Sequence, residues 1–487
     1  MARIRHVGAL LGLLVWLPGV AHAAGFEFPD NGVQGLGRGG AFTAKADDLS
    51  AIVYNVAGLA KLKGTHLIAD LSLASLNYSF ARAGVYDDPG QPWDGQPFPR
   101  VRNHNAPMPL PVIAVSTDFG LRTFTFALGV YGPPSVGIRD FPAQVTVNGG
   151  AAPAPQRFDL INENVIVAYP TLAVAWRPLP WLYVGGAFQP TVAHLQEHVY
   201  AMSYALALID PNVKCSTPDG AKIPEASPCA LKAGLDLWDK FAPTGILSAL
   251  ARPVEHVELG LSARLPLSFD TSGDGSTESP PGVNVTVQND PGPGATLKTN
   301  MPFVLRFGAR YYFGPRDDER GDVELDAVYE GWSRITTFNA TFNTNLGAID
   351  ASAPHHYQDA FSLRLGGAYN LRFGPDRLAL RAGAYYESAA TPNEWTRLDF
   401  DGFARVGATI GAGYKWRGLT FDLAFAYVWM PTRTVTNSQV IPIYALSDPP
   451  AQPTALNGTF ESRMWIFGFG VSAAFDEVLE RGQGLRD

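Results

Sequence analysis

Charge is scarce in this chain of 487 residues: only 17% of it is Asp, Glu, Lys or Arg, against 46% hydrophobic residues. A soluble protein carries about 25% charge, so much of the surface is expected to face something other than water. Long apolar runs are also missing beyond the first residues. The longest, such as 165–176, contains Pro170 and falls short of the roughly 20 residues that a spanning helix needs. If the chain crosses a membrane, only a closed barrel is left, because hydrocarbon offers no partner to open backbone groups. Cysteine is nearly absent. Cys215 and Cys229 lie in one polar loop, where an exported protein would form one local disulfide. Two thiols without a nearby His pair are too few ligands for a metal site, so no metal is expected. The net charge of −8 argues against a nucleic-acid partner. Neither Gly-x-Ser-x-Gly nor His-Glu-x-x-His occurs, and His194, His198 and His355-His356 have no nucleophile motif beside them. Gly35-Leu36-Gly37 follows no strand, which excludes a nucleotide site there. Neither an enzyme nor a cofactor is expected.

What is present begins with an export signal. Arg3 and Arg5 precede the apolar stretch 7–20, and Ala21-His22-Ala23 fits the small-x-small cleavage rule. After it, alternation dominates. In 257–265 and 419–427 apolar residues recur at every second position, as they do in 303–311, 323–329, 361–369 and 378–386, so each set takes one face of a strand. The interleaved set contains Glu258, Arg306, Arg310, Glu324, Asp326, Arg364, Arg381 and Asp422. A soluble sandwich would turn that set to water; a membrane barrel would turn it into the lumen.

The connections separate these cases. Fourteen strands are expected near 64–80, 109–118, 121–131, 160–177, 182–200, 243–252, 255–269, 301–313, 321–338, 357–373, 377–387, 403–416, 418–434 and 462–475. Links after even-numbered strands are short and those after odd-numbered strands long, the asymmetry of an outer-membrane barrel. Trp176, Trp181 and Trp416 fall beside short turns, and Trp332, Trp429 and Trp465 near the opposite strand ends, as two interfacial girdles require. The fold expected is all-β: a transmembrane fourteen-stranded antiparallel β-barrel in the bacterial outer membrane. Residues 1–23 are the signal peptide, 24–62 an N-terminal plug (hatch) inside the lumen, 63–475 the barrel and 476–487 a charged periplasmic tail. Residues 24–62 do not alternate, are bent by clustered glycines and are too apolar for a free tail.

The order of several motifs resembles that of the outer-membrane long-chain fatty acid and hydrocarbon transporters (FadL/TodX type). Ala24-Gly25-Phe26 looks like that family's mature start. Asp47-Asp48 followed by Asn55-Val56-Ala57-Gly58-Leu59 resembles its plug motif, with Val56 where the family has proline. The stretch 325–333 resembles its strand ending in Trp-Ser. Tyr357-Gln358-Asp359-Ala360-Phe361, Gly366-Gly367-Ala368-Tyr369, Leu380-Arg381-Ala382-Gly383 and Thr391-Pro392 resemble its C-terminal stretch, while 399–405 matches the following loop only in part.

The resemblance implies a hatch-closed barrel that takes hydrophobic ligands from an outer-loop groove to a site near the plug and out sideways through a kink in the third strand. Gly132-Pro133-Pro134 ends that strand, and proline cannot donate to a ladder; the same residues also suit the start of a loop. In the loop after the fifth strand, Leu231, Leu235 and Trp238 have helical spacing and read either as the receiving groove or as a small loop core. Phe26 and Phe28 at the plug's start are further candidate ligand contacts. Arg364 and Arg381 suit a ligand carboxylate, or else pair with lumen acids such as Glu324, Asp326 and Asp422. The partners implied are a hydrophobic small molecule, a long-chain fatty acid or a hydrocarbon, together with outer-membrane lipid and lipopolysaccharide. Passive uptake of long-chain fatty acids is the reading carried forward. An aromatic-hydrocarbon channel and a general diffusion porin are the alternatives.

Overall fold

A computed structural model describes residues 31–132, 137–203, 206, 212–213, 225–279, 285–289, 292–315, 318–345, 347–400, 402–444 and 454–478. The signal segment, Phe26, Phe28, Pro133, Pro134, Cys215 and most of the tail lie outside them. Fourteen strands make the wall: β1 Thr65–Arg82, β2 Met108–Thr117, β3 Phe124–Tyr131, β4 Asn162–Leu179, β5 Leu182–Met202, β6 Ala230–Val254, β7 Val257–Arg264, β8 Val304–Phe313, β9 Gly321–Glu330, β10 Ala360–Phe373, β11 Asp376–Glu387, β12 Arg405–Trp416, β13 Leu419–Val435 and β14 Gly458–Ala474. Each pairs antiparallel with the next, and β14 returns to β1 from His66↔Ala474 to Arg82↔Gly458. Closure removes the sheet edge, which is why bare strands can sit in lipid.

Side-chain parity turns the usual core inside out. Phe307, Leu325, Leu363 and Leu423 are exposed, whereas their neighbours Arg306, Asp326, Arg364 and Asp422 are buried. Trp176, Trp181, Trp416, Trp429 and Trp465 stand on the exposed face. Trp332 corrects the girdle expectation. It is fully buried, in a 3-10 turn after β9, and its indole N–H donates to Glu330 at 2.7 Å.

The second correction concerns 231–238, which is no helix. β6 begins at Ala230, thirteen residues before the expected start, and pairs with β5 from Ala230↔Met202 to Trp238↔His194. Leu231 and Leu235 are four apart, which fits one helix face and one strand face equally well. Trp238 breaks the tie: it faces the other way, exposed and stacked on His194 at 4.0 Å. The upper half of β6 also pairs with Leu267–Glu278, to which Ala295–Met301, Thr337–Thr344 and Gly347–Pro354 add in turn. The barrel thus carries a second tier of sheet on its long-loop side. Cys229, just before Ala230 at the outer end of this tier, is disulfide-bonded.

Candidate functional site

Residues 31–62 sit inside the wall as two short helices, Val33–Leu36 and Ala51–Tyr54, and a 3-10 turn, Val56–Lys61. A segment so short cannot satisfy its own backbone, so the wall does it. Four consecutive amides point at two carboxylates of β9. Phe42 and Thr43 donate to Asp326 at 3.0 and 2.9 Å, and Ala44 and Lys45 donate to Glu324 at 2.6 and 3.1 Å. Val33 donates to Asp70 of β1 at 2.7 Å. Asn55 starts the 3-10 turn: its side chain accepts from Ala57 at 3.1 Å and donates to the Thr43 and Ala249 carbonyls. Gly58 lies so close to Ala46 that an added Cβ would come 2.1 Å from its carbonyl oxygen.

Charge completes the clamp. Arg38 is fully buried and pairs with Asp322 at 2.6 Å and Glu324 at 3.3 Å. Lys61 pairs with Glu258 at 3.0 Å, and Arg310 reaches Glu258 and Asp322 from the wall. Removing one partner of a buried pair costs about 3–5 kcal/mol, because the other charge stays behind unpaired. Arg38→Met is therefore expected to speed hydrogen exchange at the Phe42–Lys45 amides by about a hundredfold or more, read by mass spectrometry of the intact barrel.

Arg364 and Arg381 belong to the same seat. Arg364 pairs with Glu387 at 2.7 Å and donates to the Gly39 carbonyl at 3.1 Å. Arg381 pairs with Asp422 and donates to Gln34 at 2.8 Å. Arg381 also lines a polar cavity of about 350 Å³ that opens on the short-turn side beneath the plug. Asp48 lies there too; burial lifts its carboxyl to about 6, against the hydrogen bond from Ser50 and with Asp47 and Asp422 adding repulsion.

Above the plug the interior is apolar. One contiguous cluster joins Ile52 of the plug to Val165 and Val167 of β4, and those to Leu235 and Phe338 in the upper tier. At its top a narrow apolar cavity is lined by Val199, Leu231, Leu235, Phe338, Phe342 and Ala351. Trp238, on the opposite face of β6, takes no part in it. A buried polar knot holds the roof: both ring nitrogens of His355 face acceptors, Ala353 O at 2.8 Å and Asp399 at 2.9 Å. Burial opposes charge on Asp399, yet His355 and Arg397 hold its carboxyl below the usual range.

The wall is interrupted beside this column. β3 pairs with β2 only as far as Val112↔Tyr131. The chain meets β4 again at Ile138↔Asn164. Between them, Met108–Pro111 of β2 has no partner on its β3 side among the described residues. Gly132 sits at the break, where a Cβ would lie 2.8 Å from the Val167 carbonyl oxygen. Ile52 of the plug reaches Gly129, just below.

A plugged fourteen-stranded barrel with an apolar interior invites comparison with known proteins. The family of outer membrane protein transport proteins, OMPP1/FadL/TodX, matches residues 14–475. The chain belongs to this family.

The Haemophilus influenzae outer membrane protein P1 is 35% identical to it over 109 residues, a stretch that covers 22% of this chain and 22% of that protein. A Pseudomonas aeruginosa FadL homologue has a similar structure at 17% identity, with a TM-score of 0.72 over 93% of this chain and all of that one. The Pseudomonas putida toluene transporter TodX follows at 16% identity and a TM-score of 0.61, over 91% and 98%. These structural likenesses speak for the fold.

Against that family fold, the sequence reading missed what seats the plug. Glu324 and Asp326 were legible as lumen acids, but not as acceptors for four amides of a segment about 280 residues away. The signal was in the wall glycines. Gly366↔Gly383 and Gly260↔Gly308 are directly opposed pairs on neighbouring strands, and a Cβ on any of the four would meet plug backbone within 3.0 Å.

Proposed function

We propose that this transport protein passively carries hydrophobic compounds, long-chain fatty acids foremost, inward across the outer membrane. The observation that carries the reading is the unbroken apolar cluster from the upper cavity to the plug, running past the interruption between β2 and β4. An aqueous pore would need a polar, open lumen, whereas here residues 31–62 fill it. Burial supplies the driving force, about 0.8 kcal/mol for each methylene that leaves water. The ligand enters at Leu231 and Leu235, descends to Ile52 and Val53, and leaves sideways at Gly132. Phe26 and Phe28, which lie outside the described residues, are proposed as further ligand contacts. Arg364 and Arg381 act by holding the plug, and lipid with lipopolysaccharide surrounds the exposed apolar belt.

The test is uptake of labelled oleate and, in parallel, labelled toluene by cells that lack their own outer-membrane fatty acid transporter, with and without this protein. A rise of about tenfold in oleate uptake is expected, in line with a carrier that replaces a costly passage through the polar outer leaflet. Uptake of toluene alone would sink the fatty acid reading in favour of aromatic hydrocarbons. Uptake of neither from a correctly inserted barrel would sink transport of hydrophobic compounds altogether.

A further inference from the structure

Where the barrel closes, β13, β14 and β1 lie side by side. On their outward face the residues change in layers toward the long-loop end. Leu71, Leu73, Phe467 and Phe469 are exposed in the apolar belt. Beyond them Trp465 of β14 packs against Tyr427 of β13, with ring centres 4.3 Å apart. In the next outward-facing row Arg463 stands between Trp429 and Asn77. Two residues of a strand rise about 7 Å, so this guanidinium lies at the outer edge of the aromatic girdle. A second one arrives from the loop after β1. The short strand Val101–Arg102 returns to β1 and pairs at Phe80↔Val101 and Ser79↔Arg102. Val101 is buried with Phe80 and Phe460, and strand parity therefore turns Arg102 outward.

Arg102 and Arg463 are both exposed, and neither makes an ion pair or hydrogen bond with another described residue. They line one surface pocket of about 290 Å³ together with Asn77, Tyr427, Trp429 and Glu461. Glu461 is already engaged. Arg100 pairs with it at 3.0 Å and also donates to the Ser79 hydroxyl at 3.0 Å. The pocket is thus positive in a chain whose net charge is −8. By contrast, Lys232 and Lys298 on the upper tier meet Glu278 at 2.8 Å and Asp270 at 3.3 Å. Two open guanidinium forks suit phosphate, which they can hold bidentately, and basic residues at this level are drawn to anionic lipid. The layers below suit acyl chains and the interfacial part of a lipid, and a free phosphate would leave both unused. We propose that this pocket binds a phosphate of lipopolysaccharide, whose acyl chains lie along the belt of β13, β14 and β1. One phosphorylated glycolipid is thereby held at the closing seam of the barrel. The site depends on the outer-membrane placement and not on the cargo.

The experiment is a lipid titration of the purified full-length protein in an uncharged detergent, read by native mass spectrometry. The probes are lipid A with both phosphates, dephosphorylated lipid A and phosphatidylglycerol, with inorganic phosphate as competitor. Wild type is compared with Arg102→Gln/Arg463→Gln, Arg102→Lys/Arg463→Lys and the control Lys232→Gln/Lys298→Gln. Heat-modifiable gel mobility confirms that each barrel is folded. Wild type is expected to bind phosphorylated lipid A most tightly. The double Gln variant should weaken that binding by about tenfold or more, and removal of the phosphates from the lipid should weaken wild type to a similar degree. The double Lys variant should keep part of the affinity, and the control should keep all of it. A double Gln variant that binds lipid A as wild type does overturns the assignment, as does dephosphorylated lipid A that binds wild type equally well. Phosphatidylglycerol bound as tightly as lipid A overturns the glycolipid as occupant. Displacement of lipid A by millimolar inorganic phosphate would show a site for the free anion and overturn the lipid reading.

Discussion

Adding one methyl group to each of Gly366 and Gly383 is expected to unseat residues 31–62 while leaving the barrel closed. The two glycines are cross-strand partners on β10 and β11. A Cβ at Gly383 would lie 2.2 Å from the Arg38 carbonyl carbon, and one at Gly366 would lie 2.1 Å from the Arg38 carbonyl oxygen. Both obstacles are backbone, so no rotamer change relieves them. Overpacking of this kind costs about 1–3 kcal/mol per site, and here the two costs fall on one peptide unit. The ladder between β10 and β11 has no reason to fail, since alanine is tolerated in a strand and neither residue has a positive φ. Displacement of Arg38 also pulls it from Asp322 and Glu324, which converts a steric clash into a broken buried ion pair. The double variant should therefore retain heat-modifiable mobility, conduct ions in planar bilayers where wild type does not, and expose residues 31–62 to protease. A double variant with wild-type conductance and protection would show that the plug is not held by close contact at Arg38.

A carboxylate placed in the upper cavity is expected to stop entry of ligand. Leu235 is buried in the cavity wall, and its ladder partner on β5 is Glu197. Leu235→Glu would set two acids side by side, with Asp399 also on the cavity lining. Like charges directly opposed across strands repel, and a carboxylate in an apolar site without a partner costs several kcal/mol. The site either fills with water or closes; both remove the apolar entry. Uptake of labelled oleate should fall by about tenfold or more on the scale of that desolvation cost, while Leu235→Met, of similar volume, should keep it. The transmembrane part of β6 lies beyond the bulge at Asp239–Ala242, so insertion and gel mobility are expected to stay as in wild type. Undiminished uptake by a folded Leu235→Glu barrel would place the entry elsewhere.

The barrel was legible because period-two alternation is a local property. Each strand declares its two faces, and the regular difference between short and long links declares which end is which. The segment 231–238 marks the limit of that reading. Its leucines satisfy two periods at once, and only the ladder with 194–202 decides between them. Trp332 marks another limit: its position near a strand end suits a girdle, yet a turn after β9 folds it inward onto Glu330.

The candidate site was legible as composition but not as contact. Inward arginines and acids could be named from alternation, and so could the glycine-bent, apolar plug. What each arginine meets depends on side chains that approach across the lumen from positions far apart in sequence. Arg306 and Arg364 look alike along their strands. One pairs with Glu387 and donates to the Gly39 carbonyl, while the other lies beside the ring of Tyr54. By itself the sequence determined a closed, lipid-facing barrel with a polar-in, apolar-out wall, because side-chain parity and turn length are set within a few residues. Only the tertiary structure decided how the plug is seated, where the wall is interrupted and which inward charges pair with one another, because those depend on distances between chain segments that the wall's curvature brings together.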